Sequence, residues 1–169
     1  MRLSEGVEWA AHCVVLLSSL SDGAALSAAA LAEYHGVPAP YLAKSLQSLA
    51  RAGVITSTPG RRGGYRLARD PSQITLLDVV RAVDGDEPLF RCTEIRKRGP
   101  SRVAARHYPP LCAIAAAMQR AESAWRAELE RTTIAEIAAT VAGAAPPAAI
   151  QKTIGWLADK LPASAAPQG

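Results

Sequence analysis

No apolar run of about 18 residues occurs in the chain, so neither a membrane-spanning helix nor a membrane partner is expected. The opening residues, Met1-Arg2-Leu3-Ser4-Glu5-Gly6-Val7-Glu8-Trp9, carry acid where a secretory leader would carry basic and apolar stretches. That predicts a cytoplasmic protein. Only 3 cysteines occur among 169 residues, and in a reducing compartment they suit thiols or metal ligands better than a disulfide framework. Nucleotide-binding glycine loops are missing, since Gly60-Arg61-Arg62-Gly63-Gly64 fits neither G-x-G-x-x-G nor G-K-S/T. No paired carboxylates flank a cleft, no Ser/His/Asp order stands out, and no internal repeat occurs. An enzyme is not expected, and no catalytic residue is named.

One further absence has a positive meaning. Between Pro38 and Arg69 there is no acidic residue, against Lys44, Arg51, Arg61, Arg62, Arg66 and Arg69. The whole chain carries only +4, so basic charge is concentrated here and would give salt-dependent phosphate affinity. Residues 53–69 read as two short strands around a glycine-punctuated basic tip. Its glycines permit positive φ and keep bulk away from a nucleic acid. Taken alone, this could be an ordinary solvated hairpin. Upstream, Leu26, Ala30, Leu31 and Tyr34 repeat at helical spacing over 24–35, Gly36-Val37-Pro38 forces a turn, and Pro40 suits the first turn of a second helix. Leu42, Leu46 and Leu49 share one face of that helix. The opposite face carries Tyr41, Lys44, Ser45, Ser48 and Arg51. This is a helix-turn-helix with a wing, built to place polar groups in a major groove and arginines on phosphates or in a minor groove. Its candidate contacts are those five residues plus Arg61, Arg62 and Tyr65.

The expected fold is mostly α with a small β-wing: a winged helix-turn-helix domain plus a long dimerisation helix. Residues 1–84 form the DNA-binding domain, including a first helix near 7–20 and a short helix over 75–83. Residues 85–109 form a helix-poor loop of the length that is usually functional or disordered. Over 110–141 comes a long helix to about Arg131, then a short one opened by the capping-box pair Thr133 and Glu136. Leu111, Ile114, Met118, Ala121, Trp125 and Leu129 step by three and four along the long helix. The sequence holds no equally long partner for that seam, which predicts a homodimer on a palindromic operator. Residues 142–169 read as an Ala/Pro-rich linker and a tail with a marginal amphipathic helix, without assigned function.

This order of parts resembles the Rrf family of bacterial winged-helix transcription regulators, the IscR, NsrR and RsrR type. The match spans about residues 1–141. It is most specific at Pro40-Tyr41-Leu42-Ala43-Lys44, at 49–55, at Gly60 with Gly63-Gly64-Tyr65-Arg66-Leu67, and at Ile74-Thr75-Leu76-Leu77-Asp78-Val79-Val80. The resemblance implies a dimeric repressor or activator and, in many members, a ligated iron–sulfur cluster sensing redox state, nitric oxide or iron supply. Cluster-binding members typically carry three close cysteines in the loop. This loop has Cys92 and Cys112 with nineteen residues between them, and Ala115 where the IscR branch places a histidine.

The chain is most similar to the RsrR-like branch, in which two cysteines, a histidine and a glutamate share a [2Fe–2S] cluster across the dimer. Cys92 and Cys112 match the first and last cysteine positions. Glu8 matches the acidic residue that the NsrR branch takes from the partner's first helix, and His35 is the nitrogen candidate. His12 and His107 compete with it, while Cys13 lies on an apolar helix face and reads as core. Histidine and carboxylate are both acceptable to iron. Zinc on the same four residues and a cluster-free dithiol switch are the rival readings.

Overall fold

Small and branched apolar side chains on one side of the first segment let it sit at the centre of the molecule. In the computed structural model, which describes residues 3–60 and 63–161, α1 (Glu5–Ser18) buries Val7, Ala10, Cys13, Val14, Leu16 and Leu17. Ser27 caps α2 (Ala28–His35), its hydroxyl accepting from Ala30 N–H at 3.1 Å. Gly36 ends that helix in the left-handed conformation, φ 64°, which glycine adopts without a Cβ penalty. Pro38 then precedes α3 (Ala39–Arg51), whose Leu42, Leu46 and Leu49 are fully buried.

The wing is β1 (Ile55–Thr58) paired antiparallel with β2 (Gly64–Leu67), Ile55 facing Leu67 and Thr58 facing Gly64. Tyr65 and Leu26 exchange backbone hydrogen bonds of 2.8 and 3.0 Å, tying the wing to the approach of α2. A Cβ at Gly64 would lie 2.5 Å from the Leu26 carbonyl, so the Gly-Gly pair serves close approach as well as turning.

Two matching caps organise the rest. Thr75 and Asp78 form a capping box at α4 (Leu76–Asp84), and Thr133 and Glu136 form another at α6 (Ile134–Ala144). Leu76 N–H donates to Thr132 O at 2.9 Å and Ile134 N–H to Ile74 O at 2.9 Å, so both helix starts are joined side by side. α1 packs against α3, α4, α6 and β2. The fold is mostly helical with this one two-stranded sheet among the described residues, and none of its helices is long and apolar enough to cross a membrane.

The long helix, α5 (Ala113–Arg131), buries only Ala115. The first half of its expected seam is open in the single chain, with Leu111, Ile114 and Met118 44, 66 and 42% exposed. Trp125 and Leu129 are instead half-buried, and Trp125 faces the chain's own loop at Pro88 and Leu89. The C-terminal part differs from the sequence expectation. α6 continues to Ala144, and α7 begins at Pro147 and runs to Lys160, so most of the expected linker is helical. α7 returns to the core, where Leu157 and Leu161 are buried. Alanine-rich helices carry a weak apolar stripe, and here tertiary contact supplies what the pattern lacks.

Candidate functional site

The outer surface of α3 carries Tyr41, 62% exposed, with Lys44 Nζ 5.8 Å above its ring. Arg51 Nη2 donates to Ser48 Oγ at 3.1 Å. Gln47 is exposed on the same helix, three positions after Lys44. It was not among the expected contacts, yet glutamine is a natural reader of adenine edges. Its signal was its i+3 spacing from Lys44.

One expected contact needs correcting. Ser45 is only 6% exposed, and a Cβ at Gly6 would sit 3.0 Å from its hydroxyl. It therefore faces α1 and not the open side. Tyr65, also an expected contact, is half-buried, its ring packed against the core from the wing. Arg61 and Arg62 lie outside the described residues. Arg69 is committed to bracing the wing, donating to the carbonyls of Gly53 and Gln73 at 3.3 and 2.9 Å and pairing with Asp78 at 3.1 Å.

The loop between α4 and α5 contains two 3₁₀ turns, Ile95–Lys97 and Ala105–His107. Arg126 on α5 holds its head by bonding Asp86 and Glu122, while Glu122 also accepts from Leu89 N–H at 3.1 Å. Arg96 organises its centre, pairing with Glu94 at 2.8 Å, donating to Pro109 O at 2.8 Å and lying 5.2 Å from the Tyr108 ring. Glu94 adopts φ 53°, and its N–H donates to Cys92 Sγ at 3.4 Å.

This folding brings Cys92 and Cys112 together across the loop. Cys112 is the N-cap residue of α5. Its thiol is held below the ordinary thiol range chiefly by the nearby backbone N–H groups of Ala115 and Ile114, then by the Arg96 guanidinium and the neighbouring Cys92 thiol. Helix N-termini favour thiolates in this way. Cys13 is the opposite case: burial in the core pushes its thiol up to about 12.

A second cluster lies on α1 and α2. Glu8 and His12 are exposed one helical turn apart, and the His12 ring is 5.8 Å from that of His35. Burial, and then the charge of His12, hold His35 below the usual imidazole range. Its Nε2 is buried with no hydrogen-bond partner. His107 sits in the second 3₁₀ turn, exposed. Among the described residues of one chain, no three His, Cys, Asp or Glu side chains come together as a metal site.

Fold and surface together define a winged-helix transcriptional regulator. Residues 3–140 match the model of the Rrf2 family, described as an iron-dependent transcriptional regulator, and the chain belongs to that family. It is 31% identical over 138 residues to an HTH-type transcriptional regulator of Mycobacterium tuberculosis, covering 82% of this chain and 81% of the relative. With the YffB regulator of Lactococcus lactis it shares 29% over 140 residues, 82% of this chain and 87% of that one. Among solved structures, CymR, the global cysteine regulator of B. subtilis, superposes with TM-score 0.66 at 21% identity, covering 83% of this chain and 98% of that chain. T. potens IscR superposes with TM-score 0.63 at 19% identity, covering 89% and 96%. The chain is a DNA-binding regulator and not an enzyme.

Proposed function

We propose that this regulator acts in the cytoplasm as a homodimer on a palindromic operator. In this reading it senses redox state, nitric oxide or iron supply through a [2Fe–2S] cluster. Cys92 and Cys112 of one protomer would hold one side of the group, and His35, with Glu8 of the partner subunit, the other. The observation that carries this reading is the meeting of Cys92 and Cys112, with Cys112 kept toward thiolate, the form that ligates metal. The donor types fit: each chain offers two thiols and, on α1 and α2, the exposed Glu8 carboxylate and the His35 imidazole, whose Nε2 lacks a partner. Two thiolates with oxygen and nitrogen donors satisfy iron, on which histidine can replace cysteine.

When bound, such a group supplies one-electron chemistry and a change of charge. The chain's own part is transmission. His35 ends α2 directly before Gly36, so a displacement of its imidazole passes through the turn to the start of α3. Tyr41, Lys44 and Gln47 move with that helix. Glu8, from the other protomer, ties the same displacement to dimer geometry, which biases a two-state docking of the reading heads. Tyr41, Lys44, Gln47, Ser48 and Arg51 contact bases or backbone, with Arg61 and Arg62 on phosphates.

Protein isolated without oxygen should be coloured, with iron and acid-labile sulfide in equal amounts, and Cys92→Ala or Cys112→Ala should bleach it. A colourless protein with stoichiometric zinc would overturn the cluster. The contact between the two thiols also favours a second reading, a cluster-free dithiol switch. Colourless protein whose operator affinity changes reversibly with a dithiol reductant, and no longer does so after Cys92→Ala, would establish it.

A further inference from the structure

Helix α7 lies beyond the residues that match the family, yet it is firmly docked. Its polar side chains converge on a single turn of another helix. Trp156 Nε1 donates to one carboxylate oxygen of Glu33 at 3.2 Å, and Lys160 Nζ donates to the other at 2.8 Å. The hydroxyls of Tyr34 and Thr153 share a hydrogen bond of 2.7 Å. The Trp156 ring lies 4.9 Å from that of Tyr34, and Tyr34 stands edge-on to His35 at 4.9 Å.

Glu33, Tyr34 and His35 are the last three residues of α2, a helix of 8 residues. A helix that short depends on tertiary contacts. α7 grips two of the three side chains, and the third is the imidazole with the orphaned nitrogen. The Glu33 contacts are solvent-exposed and screened, whereas Tyr34 is half-buried, so the Tyr34 contacts dominate.

We infer that α7 is a clamp on the last turn of α2 that fixes the place of the His35 imidazole, with Thr153 and Trp156 as positioning residues. Trp156 backs the Tyr34 ring, Thr153 holds its hydroxyl against rotation, and the fixed ring edge confines His35. The consequence for sensing rests on the reading of His35 as a ligand; the clamp itself does not.

The test uses the full chain with the double substitution Thr153→Val/Trp156→Leu and the conservative Thr153→Ser. Hydrogen exchange is followed at Gly36 and Val37, whose N–H groups donate to Glu33 O at 3.2 Å and Ala32 O at 3.0 Å and close α2. Loss of the Tyr34–Thr153 hydrogen bond, the exposed Trp156–Glu33 hydrogen bond and one aromatic contact should speed this local exchange about tenfold or more. The amides of Val14–Leu17 in α1 should keep their rates, and Thr153→Ser should stay near wild type. If the double variant does not fold, Tyr34→Phe removes the hydroxyl alone and should speed exchange about threefold. Unchanged exchange at Gly36 and Val37 overturns the clamp. The same variants, reconstituted with iron and sulfide, are then read by midpoint potential. Faster exchange with a shifted potential shows the clamp acting through His35. Faster exchange at an unshifted potential keeps the clamp and removes His35 from the ligand set.

Discussion

A methyl group at position 64 has nowhere to go. It would meet the backbone of Leu26 at 2.5 Å, so Gly64→Ala must push the wing off the approach to α2. The expected cost is about 1–3 kcal/mol in urea unfolding, with weaker operator binding measured alongside. At the same scale the three cysteines should separate by reactivity. Cys112 is held toward thiolate by the Ala115 and Ile114 N–H groups, so alkylation of the native metal-free protein should reach it at a lower pH than an unfolded-chain cysteine. Cys13, whose thiol is raised to about 12, should be labelled only after denaturation; peptide mapping after iodoacetamide separates the two. Gln47→Ala should alter which operator bases are preferred. Ser45→Ala should instead act on stability, because its hydroxyl faces Gly6.

Among the elements, α5 stands out because it buries so little of itself. Met118→Lys should convert dimers to monomers in sedimentation and abolish binding to a two-fold site while leaving the chain folded, since Met118 is 42% exposed in the single protomer. The loop ahead of α5 should respond to acid. Hydrogen bonds from Arg126, then Arg81, hold the Asp86 carboxyl below the usual carboxylate range. Its tether is therefore complete above the ordinary carboxylate pKa and is lost as pH falls through the lowered folded value. Trp125, which lines a cavity with Leu89 and Pro88, should report the loss by fluorescence, and Asp86→Asn should show it already at neutral pH. The helix-turn-helix, the wing, α4 and the Thr133 cap were all legible, because helical spacing, Gly-Gly turns and T-x-x-E are local signals. The inward turn of Ser45 was not, because it depends on Gly6 in another helix leaving room. Nor was the meeting of Cys92 and Cys112, which Glu94 in a left-handed conformation and the Arg96 contacts bring about inside an aperiodic loop. For α7 the marginal apolar stripe was legible, and Leu157 and Leu161 are buried. Its polar grip was not, because it rests on single residues, Thr153, Trp156 and Lys160, each finding a partner on α2.

For the molecule as a whole, affinity for DNA should be steeply salt-dependent. Each phosphate contact adds about 0.9 to the log–log slope, so replacing Arg61 and Arg62 by alanine should lower it by about two on any sequence. An unchanged slope in filter binding at several salt concentrations would remove the wing from the interface.

The paired caps at Thr75 and Thr133 carry a consequence for how such regulators vary. The chain leaves the reading head beside Thr75 and returns beside Thr133, where two backbone hydrogen bonds close the circuit. Everything between is one excursion whose end points are fixed independently of its contents. Closing a longer excursion costs little, about 0.6 kcal/mol for each doubling. Excursions of different length and chemistry can therefore be carried on one unchanged helix-turn-helix head, provided that α4 still seats on α1 and the two threonines still meet.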